Sequence, residues 1–246
     1  SRPIFEKFDT CLVQNNETKN YLKKLGAKNI KKLGNLKFSE TNLKNINKIN
    51  IRTQKFLNSK KILFGAVSTH ENEEMFCAKI HADLKKKNIN GITIIIPRHI
   101  HRAPDIKEKI EKFRLKVHLH SSDEKIDNKT DIYLVDTFGE TKLFINICKI
   151  VFLGGSLIEH GGQNPLEAAR LGCKVIHGPN IDNFLEVYSL LDKNNISSKI
   201  RTAKQAKNII QKNLNNKFSS KKIIKKLNSI GNEVLFKNKN EINKYI

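Results

Sequence analysis

The chain has 246 residues, enough for one large domain or two small ones around a substantial core. It carries 46 Lys+Arg against 24 Asp+Glu, a formal net charge of +22, and its 38% hydrophobic content is too high for a disordered chain. No run of ~18 apolar residues occurs, which excludes a spanning helix within these residues, and four scattered cysteines (Cys11, Cys77, Cys148, Cys173) exclude a disulfide scaffold and suit a reducing compartment.

Along the chain, short β-branched runs alternate with amphipathic stretches. A strand at 10–14, a helix at 17–25 closed by Gly26 and a strand at 29–36 make one βαβ piece. A polar, Asn/Lys-rich stretch at 39–60 follows and marks a boundary. Beyond it, strands are predicted at 61–67, 92–96, 115–119, 132–135, 150–153, 174–177 and 198–201. Helices are predicted at 71–87, 105–114, 141–148, 165–171 and 182–191. From Ala203 on, Lys/Asn-rich helices carry an apolar stripe of Ile209, Ile210, Leu214, Phe218, Ile223, Ile224 and Leu227. The alternation implies an α/β fold, a doubly wound parallel sheet covered on both faces. Residues 1–38 read as the end of one domain, 39–205 as a complete Rossmann-like domain and 206–246 as a helical tail.

The positive charge has a bland reading and a functional one. Lysine far outnumbers arginine and is spread along the whole chain, as solvated faces would require. An anionic membrane surface is the better functional reading, since each basic residue near a bilayer adds about 1 kcal/mol. Nucleic acid fits less well, with only 7% aromatic residues for base stacking and no RNA-binding motif.

In an open parallel sheet, ligands bind beyond the carboxyl ends of the strands. Four polar or glycine-rich loops fall there. They are Ser68-Thr69-His70-Glu71, Pro97-Arg98-His99, the run from Asp136 to Thr141, and Gly154-Gly155-Ser156 continuing to Asn164. Together they suggest a crevice for a polar, phosphorylated ligand. Two Gly-Gly pairs free the backbone to approach an anion. Asn164, Pro165 and Glu167 resemble a capping box, so they either cap their own helix or present its positive end to an anion; the two readings are compatible. Arg98 follows a β-branched run and a proline, and its planar fork suits a phosphate or carboxylate. Glu71, Glu73 and Glu74 open a helix, where acidic residues complement the dipole. His99, His101, His118 and His120 lack metal-ligand spacing, and no GxSxG, P-loop or HExxH motif occurs.

These segments occur in an order that resembles one family. Gly34-Asn35-Leu36-Lys37-Phe38, Ser68-Thr69-His70-Glu71 with Glu74, Pro97-Arg98-His99, Val135-Asp136-Thr137 with Gly139-Glu140, Gly154-Gly155-Ser156, Gly161-Gly162-Gln163-Asn164-Pro165-Leu166-Glu167 and Gly178-Pro179 with Asn183-Phe184 are similar to the motifs of the 3-deoxy-D-manno-octulosonic acid (Kdo) transferases of lipopolysaccharide synthesis. The likeness covers roughly residues 8–200. It implies a GT-B fold, with this chain as the donor-binding carboxyl-terminal domain and only a remnant of the amino-terminal one.

The resemblance further implies inverting, metal-independent transfer of Kdo from CMP-Kdo to a lipid A precursor, lipid IVA, at the cytoplasmic face of the inner membrane, with no cofactor. Carried over by residue, Arg98 and the Gly139-Glu140 turn hold the CMP part. Asn164 and Glu167 contact phosphate and ribose, and Ser68, Thr69 and Ser156 line the sugar-phosphate pocket. The sequence departs from the family at Phe138 (usually methionine), Gln163 (commonly histidine) and Ile100 (usually proline). The family's general base is a glutamate of the acceptor domain, so no catalytic base is expected in these residues. A GT-B enzyme with another nucleotide-sugar donor, and a donor-binding fragment without catalysis, are the alternatives.

Overall fold

The computed structural model describes residues 2–39, 49–215 and 219–245. Phe218 of the predicted stripe and positions 40–48 of the polar stretch lie outside the described residues. In chain order the elements are α1 (Arg2–Phe5), β1 (Cys11–Val13), α2 (Asn16–Lys24), β2 (Ile30–Lys32), α3 (Ile51–Asn58), β3 (Ile62–Thr69), α4 (Glu73–Lys85) and β4 (Ile92–Pro97). There follow α5 (Ala103–Glu111), β5 (Val117–Leu119), β6 (Ile132–Leu134), α6 (Thr141–Asn146), β7 (Ile150–Leu153), α7 (Leu166–Arg170) and β8 (Lys174–His177). The last are α8 (Leu185–Lys193), β9 (Ser197–Lys199), α9 (Ala203–Asn215) and α10 (Ser220–Ile242).

Contacts divide the chain into two compact units, Ser1–Lys44 with Lys225–Ile246, and Asn45–Ile224. In the smaller unit β1 and β2 pair in parallel, Cys11 opposite Ile30 and Val13 opposite Lys32. The connecting α2 begins where the side chain of Asn15 accepts a hydrogen bond from Thr18 N at 2.8 Å. Helix α10 seats on this piece through an ion pair of Glu241 with Lys31. It also packs closely at Gly231, where a Cβ would stand 2.3 Å from the carbonyl oxygen of Phe38. Only glycine permits that approach.

The larger unit is built on a seven-stranded sheet of order β5-β6-β4-β3-β7-β8-β9, every pair parallel. Every residue of β4, β6, β7 and β8 is buried, the pattern of strands covered on both faces. The covering helices supply Cys77, Ala78, Ile80 and Leu84 from α4, Ile106 and Ile110 from α5, and Ala206 and Ile210 from α9. These pack on Leu63, Phe64, Ile95 and Phe152 of the central strands. Apart from the outer β5, the order β6-β4-β3-β7-β8-β9 is the 3-2-1-4-5-6 sequence of the Rossmann fold. The connections reverse direction between β3 and β7, which makes the carboxyl ends of those two strands the topological switch point.

Candidate functional site

At the end of β3 the register against β4 slips between Val67 and Thr69, so that Ser68 bulges, with a φ of 53°. The loop after β7 presses on this bulge: a Cβ on Gly154 would stand 2.2 Å from the Ser68 carbonyl oxygen. Gly155, at φ 65°, then turns the chain so that successive N–H groups point inward. Those donors meet Glu73, the first residue of α4, which is 1% exposed. Its Oε2 accepts from His70 N at 2.9 Å and Gly155 N at 2.7 Å, and its Oε1 from Ser156 N at 3.1 Å and Leu157 N at 3.0 Å.

The predicted site residues take distinct positions around this point. Ser68 is half-buried, whereas Thr69 is fully buried and donates to Glu74 Oε1 at 3.1 Å. Ser156 is also fully buried; its hydroxyl donates to Leu153 O at 2.5 Å and accepts from Gly178 N at 2.8 Å. Both hydroxyls therefore brace loops from inside. Arg98 follows β4; its backbone N–H donates to Thr69 O at 2.9 Å and its side chain is exposed.

After β6, Gly139 has a φ of 83° and open space around its Cα. Glu140 accepts from the Thr137 hydroxyl and stands 3.1 Å from His120 Nε2, while His120 Nδ1 lies 2.7 Å from the Tyr133 hydroxyl. His120, Tyr133 and Glu140, with Arg52 and Thr53, edge a cavity of about 320 Å³ at the carboxyl ends of β5 and β6. A cavity of about 450 Å³ lies at the opposite end of the sheet, around Lys61, Gly91 and Asp131, away from all the predicted site residues.

Asn164 is exposed, and its side chain accepts from Leu166 N at 3.1 Å, so it caps α7. Glu167 does not close the box; its carboxylate faces Lys142 Nζ at 3.3 Å and is 40% exposed.

Imidazoles crowd the same end of the sheet. The ring of His70 lies 4.3 Å from that of His160 and 5.9 Å from that of His99, which in turn lies 5.8 Å from His101. Burial, helped by His160, lowers the pKa of His70, which favours a neutral ring beside Arg98. Burial also raises the pKa of Glu74, against the opposing pull of its pair with Arg102 at 3.0 Å. Among the described residues no group of three or more His, Cys, Asp or Glu is arranged to hold a metal ion.

Glu73 is the residue that sequence reasoning did not single out beyond the helix dipole. Its only local signal is a spacing of three from His70, whose N–H it accepts.

No protein-family model matches the chain. Curated relatives do. The chain is 30% identical over 208 residues to a 3-deoxy-D-manno-octulosonic acid transferase of Rickettsia bellii, covering 85% of this chain and 49% of that protein. It is 31% identical over 182 residues to the Haemophilus influenzae enzyme of the same name, covering 74% of this chain and 42% of that one. The chain thus spans about half the length of the curated relatives it matches.

Among solved structures, the C-terminal CMP-Kdo binding domain of WaaA from Acinetobacter baumannii is similar, with a TM-score of 0.64 and 26% identity over 75% of this chain and 94% of that domain. Anabaena HepE in complex with UDP and glucose shares the fold at a TM-score of 0.52 and 12% identity, covering 99% of this chain and 64% of that one. Sequence and fold agree: over about half of their length, the chain belongs with the 3-deoxy-D-manno-octulosonic acid transferases, and its larger unit has the nucleotide-binding architecture of GT-B glycosyltransferases.

Proposed function

We propose that this chain binds CMP-Kdo and presents it for transfer of Kdo to a lipid A precursor, lipid IVA, in lipopolysaccharide synthesis, with inversion and without a metal or cofactor. The observation that carries this reading is that Arg98, the Gly139-Glu140 turn, and Asn164 with Glu167 lie in the segments that follow the parallel strands β4, β6 and β7 of one sheet, in a chain about 30% identical to Kdo transferases. In this assignment Arg98 and the start of α7 face the phosphate. The Gly139 backbone and Glu140 hold the nucleoside, and Glu167 accepts from ribose hydroxyls.

CMP is the leaving group, so negative charge grows on its phosphate as the glycosidic bond breaks. A guanidinium and a helix N-terminus stabilise that charge without a metal. The base that takes the proton of the acceptor hydroxyl is assigned to no residue of this chain. Work at the cytoplasmic face of the inner membrane accords with a net charge of +22. Binding to anionic vesicles that weakens with added salt is the expected result there.

Calorimetry with CMP tests the central claim. Arg98→Ala and Glu167→Ala are each expected to weaken CMP about tenfold, roughly the worth of one charge-assisted hydrogen bond. Because the Arg98 side chain is exposed, its loss leaves the unfolding midpoint unchanged. Preference for UMP or UDP over CMP would replace this reading with a transferase of another nucleotide sugar.

A further inference from the structure

The loop after β7 and the turn after β3 together form a concave set of backbone donors at the switch point, where a doubly wound nucleotide-binding fold holds a ligand. In this chain the set is already filled. The Glu73 carboxylate, 1% exposed, receives His70, Gly155, Ser156 and Leu157 N–H, two donors on each oxygen. Three of the donors are consecutive residues, which is the form of an anion-binding nest. The carboxylate also lies at the start of α4, where the helix dipole favours negative charge. Being tethered to the chain, it holds the nest against any dissolved anion at ordinary concentration.

We propose that Glu73 is a built-in anion: it occupies the nest that would otherwise take a ligand's phosphate, fixes the loop 154–157 against the Ser68 bulge, and so leaves the donor's phosphate to the Arg98 side of the crevice. Glu73 is in this sense a positioning residue; it acts through loop shape and touches no substrate. The part concerning the donor rests on the CMP-Kdo reading above, whereas the filled nest stands without it.

Removing the side chain while keeping the backbone should leave a hole that fits a small carboxylate. In Glu73→Ala, sodium formate is expected to raise the thermal midpoint relative to sodium chloride of equal ionic strength, with no such difference for the unaltered protein. CMP affinity in Glu73→Ala should fall about tenfold and return with formate, since charge-assisted bonds are being restored. Glu73→Gln keeps the size but turns amide hydrogens toward backbone donors. It should weaken CMP similarly, gain nothing from formate, and shift the Gly155 and Leu157 amide protons upfield.

A Glu73→Gln protein as stable as the original, with unchanged amide shifts and CMP affinity, would overturn the proposal. So would a folded Glu73→Ala indifferent to formate. Should Glu73→Ala fold only in formate, the hole is demonstrated directly. If the unaltered protein binds no CMP, the donor reading fails, and the formate dependence of the midpoint still decides whether the nest is filled by design.

Discussion

Gly154 and Ser68 touch backbone to backbone: a single methyl on Gly154 would lie 2.2 Å from the Ser68 carbonyl oxygen and 2.6 Å from Thr69 Cα. Neither partner is the free end of a side chain, so the contact cannot relax by rotation. Gly154→Ala is therefore expected to destabilise the larger unit by about 3 kcal/mol, as overpacking against backbone does. Urea unfolding followed by circular dichroism checks this. A loss under about 0.5 kcal/mol, the range of ordinary surface changes, would show that the two strand ends are less tightly apposed.

Asp131 sits at the amino end of β6 and is almost buried. Burial alone would raise its pKa, but bonds from His81, Lys85 and the Lys116 N–H outweigh it and bring the pKa from 3.8 to about 2. A carboxylate depressed in this way contributes stability that is present above its unfolded pKa and is lost as pH falls toward the folded value. Asp131→Asn should accordingly cost about 1 to 2 kcal/mol near neutrality, and the difference should shrink between pH 4 and pH 2. Denaturant midpoints of both proteins across that window provide the measurement.

His177, at the end of β8, is fully buried. Its Nδ1 lies 2.7 Å from Gly178 O, which fixes the proton on that nitrogen. Burial lowers its pKa, outweighing the Gly178 carbonyl and Asp192, and burial also lowers those of His118 and His70. Groups held neutral in the folded state and free to protonate in the unfolded one make stability fall as pH drops through the ordinary histidine value of 6.5. Thermal midpoints should therefore decline from pH 7.5 to pH 5.5. In His177→Gln the decline should be shallower, and an equally steep slope would remove His177 from the account.

Gly231 lies within α10, where alanine would ordinarily stabilise a helix by up to about 1 kcal/mol. Here its Cβ would meet Phe38 O at 2.3 Å. The clash outweighs the propensity, and Gly231→Ala should cost the smaller unit about 1 to 2 kcal/mol net. Limited proteolysis is the sensitive readout, with faster cleavage expected within residues 2–39 and unchanged protection of the β3–β8 core.

Strands β7 and β8 were legible residue for residue because each centres on β-branched residues and ends at a glycine. Ile150–Leu153 stops at a glycine pair, and Lys174–His177 lies between Cys173 and Gly178. Helix α3 was not legible. It lies in the polar stretch 39–60 and buries only Thr53 and Leu57, too few positions for a period to show. The loops of the candidate site could be placed from strand ends alone. What their side chains do could not, because the partners are remote: Glu73 meets donors 82 to 84 positions away, and Ser156 meets Gly178 22 positions on. Contacts at such separations leave no trace in local composition. The Gly178 contact also explains why Ser156, read from sequence as pocket-lining, turns its hydroxyl inward; Thr69, read the same way, is turned inward by Glu74, five positions on.

The smaller unit joins segments from either side of the larger one in sequence, and this has a consequence for its birth on the ribosome. Lys31 waits for Glu241, a partner 210 positions later. The β1-α2-β2 piece is therefore made before the larger unit and completed only after it, emerging without α10 while the entire larger unit is translated. Throughout that interval its nine-residue helix and two three-residue strands have too little surface to bury on their own. A nascent chain stalled before residue 225 should present a folded seven-stranded sheet while the β1-α2-β2 piece stays unprotected, and release of α10 is the event that closes it.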